Sequence, residues 1–179
     1  MNNNDHRLAE AIISDIDQSE DLIAERNFSS VYFGGGTPSL SSVESIKKIL
    51  DAINNRLTEE ETEITFEMNP NDVSTKKIEG LLMAGVNRIS LGVQSYHDQE
   101  LKALGRSHDS DSILEAKKIL KGTNTTIDLM YGIENQTPES FTSNLKRFIS
   151  SDINHLSLYQ LTIEPNTIFY KKELFLPKE

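Results

Sequence analysis

The chain contains no cysteine among its 179 residues. That excludes disulfides, thiolate catalysis and any iron–sulfur cluster held by its own thiolates. Positive charge is also scarce. Eighteen Lys and Arg stand against 28 Asp and Glu, a formal net charge of −10. An acidic surface repels phosphate backbones, so nucleic acid is not an expected partner. The four histidines are scattered, and none stands at metal-ligand spacing from another. No apolar run approaches the ~20 residues that cross a bilayer, so no membrane span is expected. The opening Met1-Asn2-Asn3-Asn4-Asp5 lacks the basic-then-apolar layout of a signal peptide. A cytoplasmic location is the resulting expectation.

What is present reads as globular, with 36% hydrophobic and 26% charged residues. The length suits one domain with its own core. Leu8, Ile12, Ile16 and Ile23 recur near helical spacing and predict an amphipathic helix over 5–26. Ser30–Phe33 reads as a strand running into Gly34-Gly35-Gly36-Thr37-Pro38. Ser41 with Glu44 forms a capping-box pattern, and Val43, Ile46, Ile49, Leu50 and Ile53 stripe the helix that follows. An acidic linker is read at 58–63.

Strands are then predicted at 64–68, 88–93, 125–130 and 155–163. Between them run helices. One is capped by Ser74, carries Ile78, Leu81 and Leu82, and stops at Gly85. Others span 98–104, closed by Gly105, and start at Asp109 or Ser110 with Ile113, Ala116, Ile119 and Leu120 inward. Thr137-Pro138 is a cap and first-turn pair for a helix burying Phe141, Leu145, Phe148 and Ile149. The tail 171–179 shows no pattern. Strand and helix alternate five times without a hairpin signal, which predicts a parallel sheet with right-handed crossovers. The class is α/β, either a barrel-like (β/α) fold or an open doubly wound sheet.

Ligands of parallel β/α folds bind at the carboxyl ends of the strands. Gathered there are Gly34–Thr37, Glu67 and Asn69, Gln94, Arg106, Asp128 with Tyr131-Gly132, and Tyr159, Gln160, Thr162 and Glu164. Glycines let a ligand lie against backbone groups. Carboxylates suit an ammonium or a ribose diol, and a guanidinium grips a carboxylate bidentately. A zwitterionic amino acid joined to a nucleoside would use all of these groups.

Plainer readings exist for the same residues. The glycines can be a tight turn, and they match neither the Gly-x-Gly-x-x-Gly fingerprint nor a P-loop. Asp128 can be a satisfied structural carboxylate, and Arg106 a cation at a helix end. His97 and His108 read as polar surface or cap residues, His155 as structural, and Tyr32 and Tyr159 as core or rim.

Six ordered stretches carry a family resemblance. They are Val-Tyr-Phe-Gly-Gly-Gly-Thr-Pro-Ser-Leu (31–40), Thr-Phe-Glu-Met-Asn-Pro (65–70), Gly-Val-Asn-Arg-Ile-Ser-Leu-Gly-Val-Gln-Ser-Tyr (85–96), Leu-Gly-Arg-Ser-His (104–108), Ile-Asp-Leu-Met-Tyr-Gly (127–132) and Leu-Ser-Leu-Tyr-Gln-Leu-Thr-Ile-Glu-Pro-Asn-Thr (156–167). Together they resemble the radical S-adenosylmethionine (SAM) proteins of the oxygen-independent coproporphyrinogen III oxidase group, and within it the heme chaperone branch, HemW. The resemblance implies a partial (β/α) TIM-like barrel with SAM across the strand ends. Gly35, Gly36 and Thr37 would line its methionine end, Glu67 its polar groups, Gln94 and Asp128 the ribose side, and Arg106 the SAM carboxylate.

The family's first strand ends in a Cys-x-x-x-Cys-x-x-Cys loop holding a [4Fe–4S] cluster, and this chain has no such loop. Nor has it tryptophan, which belongs to the family's C-terminal His-Asn-x-x-Tyr-Trp motif linked to heme. The expectation is therefore a single truncated radical SAM core domain over 1–179, with about five parallel strands and strand one missing. SAM is the expected cofactor, with the cluster and heme belonging to the intact family. A second chain carrying strand one is a candidate partner. No radical chemistry is expected from this chain alone. The alternatives are a non-catalytic SAM- or partner-binding module, or one half of a split radical SAM protein. An aldolase-like barrel is disfavoured because no strand carries an obvious Schiff-base lysine.

Overall fold

The computed structural model describes residues 3–57 and 62–171. Most of the acidic stretch after Leu57 and nearly all of the patternless tail fall outside them. Five strands, β1 (Ser30–Phe33), β2 (Glu63–Met68), β3 (Arg88–Gln94), β4 (Thr125–Tyr131) and β5 (His155–Gln160), form one sheet in chain order. β1 pairs with β2 in parallel, Val31 opposite Ile64 and Phe33 opposite Phe66. β4 pairs with β5 in parallel, Asp128 opposite Ser157. This is the α/β, parallel-strand reading made from the sequence. The chain forms two compact units, Met1–Met68 with Asp72–Ile89, and Asn69–Asn71 with Ser90–Glu179.

In the first unit, the expected single helix over 5–26 is two helices, α1 (Asn3–Gln18) and α2 (Glu20–Ile23). The break falls at Ser19, and what ends α2 is a residue far along the chain. Arg56, only 6% exposed, donates to the carbonyls of Ile23 and Ala24 at 2.7 and 2.9 Å and pairs with Glu20. The guanidinium takes the last carbonyls that a continuing helix would use. The expected inward stripe is also corrected. Ala9 is the buried residue of α1, while Leu8 and Ile12 are exposed.

Helix α3 (Val43–Ala52) is capped by Ser42 rather than Ser41, its hydroxyl accepting from the Ser45 N–H. The register is set by Asp5 of α1, whose carboxylate accepts from the Ser42 N–H and the Ser45 hydroxyl. Ile46, Ile49, Leu50 and Ile53 are buried as expected. In α4 (Thr75–Met83), Ser74 is the cap and Ile78 and Leu81 are buried. Leu82 is exposed, because adjacent helical residues point about 100° apart and the stripe passes through Leu81.

In the second unit follow α5 (Asp98–Ala103), α6 (Ser110–Ile119), α7 (Pro138–Ile149) and α8 (Ile168–Lys171). Asp109 caps α6, and Thr137 caps α7 in a reciprocal box with Ser140. Leu91, Val93, Leu101, Ile113, Ile127 and Leu129 are fully buried. The expected α7 stripe is corrected. Ile149 is 75% exposed, whereas the polar Asn144 is 0% exposed. β5 is shorter than the strand expected over 155–163, ending at Gln160.

Candidate functional site

In the first unit, β1 delivers the chain into the glycine loop. Gly35 and Gly36 have φ of +75° and +54°, the left-handed region that L side chains avoid. A Cβ on either would meet nothing within 4 Å, so backbone there opens onto space. Gly34 differs. A Cβ on it would lie 2.6 Å from Tyr32 Cε1 and 3.0 Å from Glu67 Oε1. The loop therefore passes directly over the Glu67 carboxylate, which the Tyr32 hydroxyl holds at 2.9 Å.

Beyond the exposed Thr37, a 3₁₀ turn (Pro38–Leu40) is pinned from below. The Ser39 hydroxyl donates to Asp72. Lys77 donates to the carbonyls of Ser39 and Ser41. Burial pushes the Lys77 ammonium below its usual value, against the pull of Asp72 and Asp5. A cavity of about 210 Å³ opens beside the loop, with Leu8, Ile12, Phe33 and Ile46 as apolar wall and Asp5 and the glycine backbone as polar wall. Burial raises the Asp5 carboxyl, but hydrogen bonds from Ser42 and Ser45 outweigh it and hold it low.

In the second unit, Gln94 closes β3 in a left-handed conformation, φ +66°. The Ser95 N–H returns to the Val93 carbonyl at 2.8 Å, a three-residue turn of the rare, strained hand. The same carbonyl lies 3.1 Å from His108 Nε2. His108 is 5% exposed, so the surface or cap reading is corrected. Burial is what lowers its pKa most, with Arg106 adding to it, while the Val93 bond and Asp109 oppose. Asp128 is buried on β4, and the Ser90 hydroxyl donates to its Oδ2 at 2.7 Å. Arg106 is exposed and rests 3.5 Å from Asn69 Oδ1, at the limit of a hydrogen bond. Tyr32 and Tyr159 are rim residues, 55% and 50% exposed.

Sequence reasoning missed the most densely bonded side chain of this unit. Glu100 is 4% exposed and accepts from Ser95, Gln136, Ser140 and Asn144 at 2.6 to 3.1 Å. Burial raises its carboxyl, but these donors outweigh that and keep it below the usual value. A signal existed. Asn144 lies three residues after Phe141 and four before Phe148, a polar residue on an apolar helical stripe. Such a residue needs a buried partner.

The residues present fit SAM in its chemistry: open glycine backbone beside a fixed carboxylate in one unit, a buried carboxylate and amide in the other. They do not fit an iron–sulfur cluster. The chain has no cysteine, and among the described residues no three His, Asp or Glu gather at ligating distance.

The model of the radical SAM superfamily matches residues 6–148. The heme chaperone HemW of Haemophilus influenzae is 38% identical over 178 residues, 97% of this chain and 46% of that protein. The heme chaperone HemW of Escherichia coli K12 is 38% identical over 172 residues, 94% of this chain and 46% of that protein. Among solved structures, coproporphyrinogen III oxidase (HemN) from Escherichia coli, described as a radical SAM enzyme, superposes with a TM-score of 0.83. It is 26% identical, and the match covers 99% of this chain and 43% of that one. The partial TIM-like radical SAM fold is thereby shared. The chain spans about half the length of the curated relatives it matches.

Proposed function

The chain belongs to the radical SAM superfamily, and from that premise we propose that it supplies SAM-binding residues of a HemW-like protein of heme or porphyrin metabolism. In the first unit, Gly35, Gly36 and Thr37 take the methionine end through backbone groups, and Glu67 takes the ammonium. In the second, Gln94 and Asp128 take the ribose side, and Arg106 the carboxylate. The observation that carries this reading is the glycine loop itself. Two consecutive left-handed glycines open onto empty space beside a carboxylate fixed by Tyr32, the arrangement an amino-acid zwitterion needs.

In the family SAM is bound to a [4Fe–4S] cluster, and the cluster supplies the reducing electron. This chain supplies no thiolate to that cluster, so its share is binding and orientation. Heme, and a second chain carrying the family's first strand, are proposed partners of the assembled protein. A cytoplasmic location is proposed alongside; no helix among the described residues is long and apolar enough to cross a membrane.

The test is titration of SAM into the ¹⁵N-labelled chain. Shifts confined to Gly35, Gly36, Thr37, Glu67, Gln94, Arg106 and Asp128, and lost in Asp128→Ala, are expected. No shift at millimolar SAM would overturn the reading. The cysteine-free sequence favours a second reading, a non-catalytic binding module. Titrating SAM by calorimetry separates the two settings, since micromolar affinity of this chain alone, abolished in Asp128→Ala, would favour the module.

A further inference from the structure

Gln94 presents a physical problem that its own neighbours in sequence do not solve. A non-glycine residue in the left-handed region persists only where surrounding structure over-determines it. The flanking hydrogen bond, Ser95 N–H to Val93 carbonyl, closes the turn but does not hold it against relaxation. What lies behind the turn is a polar cluster in an otherwise apolar interior.

The Ser95 hydroxyl donates to Glu100 Oε2 at 2.6 Å and accepts from the His97 N–H at 2.9 Å. The Tyr96 N–H donates to Asn144 Oδ1 at 2.9 Å, and Arg147 donates to the Tyr96 carbonyl at 3.0 Å. Asn144 Nδ2 donates in turn to Glu100 Oε2. On its other side Glu100 accepts from Gln136, whose Oε1 accepts from the Gly132 N–H just past β4. One carboxylate therefore ties the chain leaving β3 to the chain leaving β4, the two strands that carry Gln94 and Asp128. Replacing the acceptor leaves four donors facing one another, Ser95 and Asn144 fully buried and Gln136 and Ser140 half-buried, each costly to leave unmade.

We propose that Glu100 is a positioning residue, holding the Gln94–Tyr96 turn in the left-handed geometry that aims Gln94. The consequence for SAM rests on the assignment of Gln94 to the ribose side; the hold on the turn does not.

The test uses the full chain, with Glu100→Gln, Glu100→Asp and Ser95→Ala. Amide hydrogen exchange is followed at Ser95 and Tyr96, with Thr65 and Phe66 of β2 as remote reporters. Losing one charge-assisted hydrogen bond is expected to speed exchange at Ser95 and Tyr96 about tenfold or more in E100Q. Thr65 and Phe66 are expected to stay within about twofold, since a local opening leaves remote amides protected. S95A, a smaller perturbation, should do the same, and E100D, which keeps the charge, should restore part of the protection. Unchanged exchange at Ser95 and Tyr96 would overturn the proposal. So would a uniform rise at all four amides, the mark of a merely structural residue. SAM-induced shifts at Gln94 are read in the same samples. If wild-type chain shows none, the SAM assignment fails while the exchange data still decide the role of Glu100.

Discussion

The Tyr32 hydroxyl donates to Glu67 Oε1 across the β1–β2 ladder, and the Gly34 backbone lies so close that a Cβ there would sit 2.6 Å from the Tyr32 ring. Tyr32 is opposite Thr65, so the bond is a diagonal reach to the next residue on the same face. It fixes the carboxylate under the loop before any ligand arrives. Gly34→Ala must displace the Tyr32 ring and break that bond, at a cost of about 1–3 kcal/mol. Gly35→Ala meets no atom within 4 Å and should cost only the left-handed conformation, about 1–2 kcal/mol. Urea unfolding measures both. Only G34A should also shift the Tyr32 ring resonances.

Gln94→Gly removes a side chain from a left-handed position, φ +66°. Relief of about 1–3 kcal/mol of strain outweighs the ~0.5–1 kcal/mol entropic penalty of glycine. A higher urea midpoint for Q94G is expected, together with weaker SAM binding. A lower midpoint would show that the turn is not strained.

Arg56→Ala leaves the carbonyls of Ile23 and Ala24 without their buried donor. Hydrogen bonds from a charged group carry about 1.5–3 kcal/mol each, so a loss of roughly 3 kcal/mol or more is expected. Glu20→Ala removes only the partner whose side chain is 57% exposed, and should cost less than about 1 kcal/mol. Thermal melts of the two variants compare them directly.

His108 is buried with its pKa below the usual 6.5, chiefly through burial. The unfolded state then binds more protons than the folded state as acid is added. The contribution to stability is full above pH 6.5 and is lost as pH falls through the lowered value. The urea midpoint should therefore drop between pH 7.5 and 5. His108→Gln, which keeps a donor for the Val93 carbonyl, should flatten that drop. An unchanged pH slope in H108Q would place the effect on another group.

Among the described residues, β1 stands at one end of the strand order and pairs with β2. Its Val31 and Phe33 are half-buried. Sheet edges of this kind template pairing with other chains. Gel filtration should show a species larger than the 20.2 kDa monomer. A sharp monomer peak across the micromolar range would contradict this.

Much of this was legible in the sequence because local chemistry decides it. Ser74, Asp109 and Thr137 cap the helices they were expected to cap. Gly85 and Gly105 stop helices with positive φ. The strand that runs into three glycines does so without help from elsewhere in the chain. The errors share one cause. Ser41 lost the cap to Ser42 because Asp5, remote in sequence, claims the Ser42 N–H. The helix expected to run to 26 ends at Ile23, where Arg56 takes the carbonyls of Ile23 and Ala24. Leu8, Leu82 and Ile149 have the right period for burial yet stay exposed.

The sequence by itself determined the order of strands and helices, their stops and the caps at Ser74, Asp109 and Thr137, the glycine loop and the radical SAM resemblance. Each rests on residues a few positions apart, whose hydrogen bonds and dihedral preferences act whether or not the chain has folded. Tertiary structure alone decided which polar groups are sealed inside. It buried Arg56, His108, Asn144 and Glu100, turned Gln94 left-handed and hung Glu67 from Tyr32. Periodicity says which face of an element is apolar. It does not say what that face will meet, and a charge survives burial only where distant residues bring it partners.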